Sequence, residues 1–313
     1  MYSFDDIIGE SDKIKDVVNF SKKVCNSMSP VFVYGETGTG KELIVQAIHS
    51  SSMRSREPFI AQNCAAIPEN LLESIFFGVC KGAYTGAVES KGLFELAGTG
   101  TLYLDELNSM NLDFQGKLLR VLQDGKYRRI GENVTRTNRA RIITSVNEKP
   151  SFLIKSNRLR RDLYYRLNVI RINIPKIDER REDIPLLVKN FILKYNKKTD
   201  ANITGISEDA INILIKREYD GNIRELEHII ECAINIKREG ILQVKDLDVE
   251  MDEKDTSLKK KIEEAEQRYI REALLICNYN VSKASELLKI PRQTLQYKIK
   301  KYSLTNMVKN AKI

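Results

Sequence analysis

An α/β fold with a parallel sheet, followed by a small helical region and a basic helical end, is what this 313-residue sequence predicts. Three observations carry it. Four short apolar runs, VFVY (31–34), TLYL (101–104), RIITSV (141–146) and VIRINI (169–174), are separated by helical or glycine-rich stretches, the pattern of parallel strands with crossovers. After Pro175 strand patterns stop and amphipathic helical segments take over. From Ser257 onward 13 Lys/Arg face 5 Asp/Glu, whereas the preceding 256 residues hold 38 of each sign, so the net charge of +8 sits on the last 57 residues.

The composition bounds the function classes. The length suits two or three domains, and 42% hydrophobic with 30% charged residues gives both a core and a soluble surface. No apolar run reaches the roughly 18 residues of a membrane span, and MYSFDDIIGE lacks the basic-then-apolar order of a signal peptide. Cys25, Cys64, Cys80, Cys232 and Cys277 form no CxxC pair, and two histidines offer little help. A zinc centre or disulfide framework is therefore disfavoured, and a cytoplasmic protein is expected.

Along the chain, Ser11 is placed to cap a helix carrying Ile14, Val17, Val18 and Val24 at helical spacing. GETGTGK follows the strand VFVY and precedes ELIVQAIHS, the context of a phosphate-binding loop. Gly35, Glu36, Thr37, Gly38, Thr39 and Gly40 let backbone N–H groups turn inward around phosphate oxygens, and the helix N-terminus adds a favourable dipole. Lys41 then reaches the terminal phosphates of ATP. Glu42 stands where the general motif has Ser or Thr for Mg²⁺, so the metal must depend on other ligands. TLYLDE supplies them: Asp105 for Mg²⁺ and Glu106 to polarise the attacking water. RIITSVN delivers Asn147 to the end of another strand, where an amide could sense phosphate or orient water. LRRDLYYRLNV concentrates Arg160, Arg161 and Arg166, which read as surface charge in isolation and as arginine-finger candidates beside a nucleotide site. KGAYTGAV (81–88) has neither strand alternation nor helical spacing and on its residues alone reads as a flexible turn.

Two helical segments follow. GISEDAINILIKREY opens with Ser207, Glu208 and Asp209, and GNIRELEHIIECAINI has Asn222 as cap with Glu225 three residues on, a capping-box arrangement. Leu226, Ile229, Ile230 and Ala233 share one face, which suggests an all-helical subdomain. The boundaries expected are 1–175 for the α/β part, 176–245 for the helical lid, 246–258 for a linker and 259–313 for the basic end. In that end, residues 259–277 carry Ile270, Ala273, Leu274 and Cys277 on one face. A short helix after Ser282 turns Ala284, Leu287 and Leu288 inward, and Lys289-Ile290 turns into Pro291 at the first position of a third helix. Leu295 and Ile299 face inward there, leaving Arg292, Gln293, Thr294 and Gln296 for base edges and Lys298, Lys300 and Lys301 for DNA phosphates. A dimerising helical hairpin is the alternative.

Taken in order, GETGTGKE, NCAAIPENLLES, KGAYTGA, GTLYLDE, RRDLYYRLNV and GNIRELEH resemble the AAA+ domain of sigma-54-dependent transcriptional activators, the bacterial enhancer-binding proteins, over about residues 4–245. NVSKASELLKIPRQTLQYKIKKY is similar to their Fis-type helix-turn-helix, and LDELNSM with QTLQYK looks most like arginine-utilisation regulators. The resemblance makes Glu42 normal. It implies phosphate contact for Lys41, Mg²⁺ for Asp105, water activation for Glu106, and a switch role for Asn63 in QNCAA, which holds the glutamate. It implies that Arg160 and Arg166 reach into a neighbouring subunit's site, and that Arg224 of the lid is a second sensor. A homo-oligomeric ring, hexamer or heptamer, follows, with dimers at enhancer DNA. The loop of Gly82, Ala83, Tyr84, Thr85, Gly86 and Ala87 would grip the sigma-54 factor of RNA polymerase holoenzyme. Tyr84 stands for the family's phenylalanine, Val79 and Cys80 for polar residues just upstream, and YDGN for WPGN. An N-terminal sensory domain, common in the family, is not among these residues, since FDDIIGES opens the match at residue 4. A remodeller with another client and a regulator acting by DNA occupancy are the competing readings.

Overall fold

The computed structural model describes residues 1–248, 258–277, 279–302 and 304. Its centre is a five-stranded sheet of β1 (Val31–Tyr34), β2 (Phe59–Asn63), β3 (Thr101–Asp105), β4 (Arg141–Val146) and β5 (Ile170–Asn173), all parallel, in the order β2-β3-β4-β1-β5. Four strands are the four apolar runs. The fifth, β2, reads FIAQN and escapes a hydrophobicity scan because it lies at the sheet edge and is only half-buried. β4 inserts between β3 and β1, so the chain reverses direction across the sheet there. A crevice opens beyond the carboxyl ends of strands at such a point. The register sets Asn63 beside Asp105, and Tyr34 beside Val146 and Asn173.

One face of the sheet packs on helices Asp12–Val24 and Lys41–Ser50, with Val31, Val33, Ile44, Val45, Ile48, Tyr103 and Ile143 buried together. Burying each such aliphatic side chain contributes about 1.5–3 kcal/mol. Ser11 does occupy the N-cap position of the first helix, but its hydroxyl does not cap. It donates instead to Asp183 Oδ2 at 2.7 Å.

The lid contains helices Ile184–Thr199, Glu208–Lys216 and Asn222–Lys237. Ser207 caps the second as expected, accepting from Ala210 N. The lid is not purely helical: Asn202–Ile206 and Glu239–Leu242 form a parallel two-stranded ladder. Asn196 pins the first of these, its amide bonding both the N–H and the carbonyl of Ile203. Such short segments, held by a side chain from elsewhere, leave no periodic signal in sequence.

The chain divides into two compact units, residues 1–150 with 158–248, and 151–157 with 249–313. The α/β part and the lid thus belong to one unit. Most of the linker expected at 246–258 lies outside the described residues; Val244–Asp246 forms a 3₁₀ turn before it and Leu258 opens a helix after it.

In the second unit, helices Leu258–Ile276, Val281–Leu288 and Arg292–Lys301 enclose Ile270, Ala273, Leu274, Ala284, Leu295 and Ile299. The expected faces hold with three corrections. Asn280, not Ser282, caps the second helix, its Oδ1 accepting from Ser282 N and Lys283 N. Leu287 is exposed rather than inward, because Ala284 and Leu288 already cover that face. Pro291 is the N-cap of the third helix rather than its first residue.

Candidate nucleotide site and projecting loop

The phosphate loop runs from the end of β1 into helix Lys41–Ser50. Gly38 and Gly40 take φ of +77° and +93°, open to glycine at little cost. Their surroundings differ. A Cβ on Gly38 would stand 2.1 Å from the Gly221 carbonyl oxygen, whereas one on Gly40 would meet nothing within 4 Å. Gly38 is therefore where the lid backbone packs on the loop, and Gly40 lines the open cradle. Thr39 Oγ1 closes the turn by donating to Glu36 O at 2.8 Å. Glu36 itself pairs with Lys176 at 2.6 Å, and exposed Glu42 accepts from Gln46 Nε2.

Lys41 is buried, and its Nζ donates to the carbonyls of Gly35 (2.8 Å) and Glu36 (3.1 Å). Among the described residues it makes no ion pair. Burial lowers its pKa while the nearby Asp105 and Glu106 carboxylates oppose that shift. A buried cation held only by backbone carbonyls, above an open glycine cradle, suits a polyphosphate.

Asp105 ends β3 half-buried. The Tyr103 hydroxyl (3.0 Å), the Ser145 hydroxyl and the Glu106 N–H (3.1 Å) all converge on its Oδ1. Among the described residues Oδ2 has no partner, so the carboxylate is oriented through one oxygen and free to ligate a hard cation through the other. Glu106 adopts φ +53°, a left-handed conformation costing a non-glycine residue about 1–2 kcal/mol. Strain of that kind is stored where it positions a functional group. Asn147 accepts from Asn108 Nδ2 at 3.3 Å. Asn63 lies beside Asp105, but its Oδ1 accepts from Ala65 N at 2.8 Å and caps the turn Cys64–Ala66, so it does not bond Glu106 here. Burial, reinforced by Asp105 and Glu106, raises the Cys64 pKa and keeps that thiol protonated. Ser145 and Tyr103, which orient Asp105, are residues of this site that the sequence reading missed. Their only signal was a hydroxyl inside an otherwise apolar strand.

The lid closes over the loop through GNIR. Asn222 is buried at φ +54°, its Nδ2 donating to Thr37 O and its Oδ1 accepting from Ile177 N, both at 3.1 Å. Ile223 N donates to Gly38 O at 3.0 Å. Asn222 therefore does not cap the lid helix as expected. Its amide is consumed by the phosphate loop, Gly221 takes the cap position, and Glu225 reaches back to Gly221 N at 2.9 Å. Arg224 is exposed, with its Cβ among the atoms nearest Gly38. Arg160 and Arg166 are not brought to this site. Arg160 forms a bidentate pair with Asp162 (3.0 and 2.8 Å), and Arg166 donates twice to Leu122 O.

Residues 81–88 project from a small antiparallel pair, Gly78–Val79 with Ser90–Lys91. Beside it lies a second pair, Lys126–Tyr127 with Arg136–Thr137, and Cys80 N donates to Ile130 O at 3.0 Å. Arg129, only 6% exposed, ties the feet together. It holds Glu89 at 2.7 Å and grips Glu95 through Nε and Nη2 at 3.0 and 2.7 Å. Nothing distinguishes Arg129 from a surface arginine in sequence. Ala83 is half-buried against Gly131, while the rest of the tip is open: Tyr84 is 56% and Val88 79% exposed, Thr85 is exposed, and Gly82 and Gly86 take φ of +84° and +82° in open space. Val79 is buried and Cys80 half-buried, so neither belongs to the tip.

In the second unit Arg292, Gln293 and Gln296 are exposed and Thr294 is half-buried. Lys298 pairs with Glu266, and Lys301 pairs with Glu263 at 2.6 Å. Lys300 is exposed with no partner among the described residues.

A glycine loop after a parallel strand, an acidic strand end and a lid packed on the loop define an AAA+ nucleotide-binding fold. Known proteins agree. Residues 7–173 match the sigma-54 interaction domain, 178–264 the AAA+ ATPase lid domain, and 261–302 the bacterial regulatory protein, Fis family. The chain is 46% identical to the transcriptional activator RocR of Bacillus subtilis, over 96% of this chain and 69% of that one. It is 39% identical to the phenol regulator MopR of Acinetobacter guillouiae, over 97% and 57%. The crystal structure of NtrX from Brucella abortus in complex with ADP superposes with a TM-score of 0.73 at 28% identity, covering 95% of this chain and 69% of that one. The chain thus spans about half to two thirds of its relatives' length, and it belongs to the sigma-54 interaction domain family, joined to a Fis-type helix-turn-helix.

Proposed function

We propose that this protein is an ATP-hydrolysing transcriptional activator. It binds upstream enhancer DNA, assembles into a ring, and remodels the closed complex of sigma-54 RNA polymerase into the open complex through residues 82–87. The observation that carries this reading is one compact unit holding both an unanswered phosphate cradle and an exposed Tyr84-Thr85 tip. NtrX structures exist with ADP and with ATP, which supports a nucleotide in the cradle here.

In this reading the backbone of Gly35–Gly40 and Lys41 hold the phosphates, with Glu42 behind them. Asp105 Oδ2 would hold Mg²⁺, which neutralises phosphate charge when bound. Glu106 takes a proton from the attacking water, and Asn147 orients that water. Asn63 can release Ala65 N and turn its amide to Glu106, restraining the base until the nucleotide state changes. Arg224 approaches the phosphates from the lid. The outward placement of Arg160 and Arg166 supports service in trans, so hydrolysis should depend on a hexameric or heptameric ring. The domain division at about 175, 245 and 258 follows the same roles. Arg292, Gln293, Thr294 and Gln296 face the bases, and Lys298, Lys300 and Lys301 bind DNA phosphates, Lys298 and Lys301 by exchanging Glu266 and Glu263 for them. No described helix is long and apolar enough to cross a membrane, in keeping with work beside RNA polymerase in the cytoplasm.

The test is open-complex formation at a sigma-54 promoter, with ATP or a non-hydrolysable analogue. Open complexes with ATP alone support the reading. Measurable ATPase without open complexes would favour another client. ATPase per subunit that rises steeply with protein concentration supports fingers in trans, and a flat dependence would contradict them.

A further inference from the structure

Between the α/β part and the lid lie two 3₁₀ turns, Ile177–Glu179 and Arg181–Asp183. They carry two charged side chains into the interior. Arg180 is 1% exposed, and Asp183 is fully buried. Charges so placed are costly unless well satisfied. Asp183 is: its Oδ1 accepts from Glu10 N (2.7 Å) and Ser11 N (2.8 Å), and its Oδ2 from Ser11 Oγ (2.7 Å). Gly9 approaches so closely that a Cβ there would lie 2.9 Å from Asp183 Oδ2. The segment Gly9–Ser11 is therefore strapped to the hinge.

Arg180 is the opposite case. A guanidinium has five N–H donors. Here Nη2 donates to Thr39 O at 3.3 Å, Nη1 stands 3.8 Å from Asp183 Oδ2, and Nε finds no acceptor among the described residues. Burial lowers its pKa and Asp183 opposes that shift. A buried cation this thinly bonded has few contacts holding it in one arrangement, and one of them is the phosphate-loop carbonyl between Gly38 and Gly40.

We infer that Arg180 is a positioning residue for the nucleotide and one half of a relay. It steadies the Thr39 turn of the phosphate loop from the hinge, and through Asp183 it couples that turn to Gly9–Ser11. Nucleotide phosphates that draw on the Thr39 turn tighten the Arg180 contacts, and the segment strapped to Asp183 follows. By reciprocity, whatever displaces Gly9–Ser11 changes nucleotide affinity by the same factor. The route gives any element attached before residue 9 a physical handle on the ATPase. The inference rests on the nucleotide-site reading above.

The full chain and its Arg180→Met variant would be compared by titration with fluorescent ADP, by steady-state ATPase, and by hydrogen exchange of residues 8–12 with and without ADP. Roughly tenfold weaker ADP binding and a matching rise in KM are expected, on the scale of one charge-assisted hydrogen bond. The kcat should change far less, and the ADP-dependent protection of residues 8–12 should vanish. A lost fold would also abolish kcat, so the split between KM and kcat separates positioning from damage. Should Arg180→Met not fold, Ser11→Ala and Arg180→Lys give the same readout, with a partial loss of protection expected. Protection that responds to ADP as in the unaltered chain would overturn the relay. Failure of the unaltered chain to bind ADP, with Lys41→Ala as the reference for no binding, would overturn the nucleotide-site reading and the relay with it.

Discussion

The phosphate loop and the projecting loop both depend on glycines at positive φ, and they use them for opposite ends. Gly38 sits against the Gly221 carbonyl, Thr37 and Gly38 are bonded by Asn222 and Ile223, and the whole turn is determined by tertiary contact. A Cβ on Gly82 or Gly86 would meet nothing within 4 Å, and beyond Ala83, which packs against Gly131, Tyr84 and Thr85 are exposed. One loop is fixed so that charge can be stabilised without reorganisation. Under the proposed function the other is left exposed so that it can move against a partner, and any coupling between the two would pass the foot, where Arg129 binds Glu89 and Glu95.

The largest effect should come from the fixed loop. Lys41→Ala should reduce ATPase activity by 10²-fold or more, about what loss of a fixed electrostatic contact costs, and abolish nucleotide binding in a titration. Glu106→Gln should reduce kcat by roughly 10²–10⁴-fold while leaving binding intact. Next comes the glycine contrast itself. Gly38→Ala meets both a 2.1 Å clash and a φ of +77°, so thermal unfolding and nucleotide titration should show destabilisation of about 3 kcal/mol and weakened binding. Gly82→Ala meets only the φ penalty of about 1–2 kcal/mol, borne by a loop in open space, so Tm and ATPase should hardly move. Equal effects at the two positions would break the comparison.

The smallest effect is a pH effect at the foot. The Arg129 guanidinium holds Glu95 below its ordinary carboxylate range. A depressed folded pKa contributes stability above the unfolded value and loses it as pH falls through the folded one. Opening of residues 78–91, read from hydrogen exchange after division by the intrinsic exchange rate at each pH, should therefore be flat near neutrality and rise below about pH 4. Arg129→Met should raise exchange at neutral pH and flatten that rise.

What was legible in sequence divides along the same line. GETGTGK, TLYLDE and the four apolar runs carry local chemistry, so the loop, the acidic strand end and most of the sheet could be read directly. The basic helical end was legible too, through Leu295, Ile299 and the charge surplus, while its Fis type came from resemblance. What failed was whatever a distant partner decides. β2 is polar because it is an edge strand, Asn222 looks like a cap until Thr37 claims its amide, and Ser11 does until Asp183 claims its hydroxyl. Ser145 and Tyr103 show only a hydroxyl within a strand, and Arg129 and Arg180 show nothing, since Ser145 meets Asp105, Arg129 meets Glu89 and Glu95, and Arg180 meets Thr39 only through the fold. The role of KGAYTGAV came from resemblance; its residues alone said only that the segment bends.

The most direct test separates the two loops by a single hydroxyl. Thr85→Ala would be assayed for ATP hydrolysis and for open-complex formation at a sigma-54 promoter in the same preparation. Thr85 is exposed at the tip, away from Lys41 and Asp105, so hydrolysis should stay within about twofold, as for a surface substitution, while open complexes disappear. Open complexes formed at the unaltered rate would contradict the account, because the exposed tip would then have no part in activation.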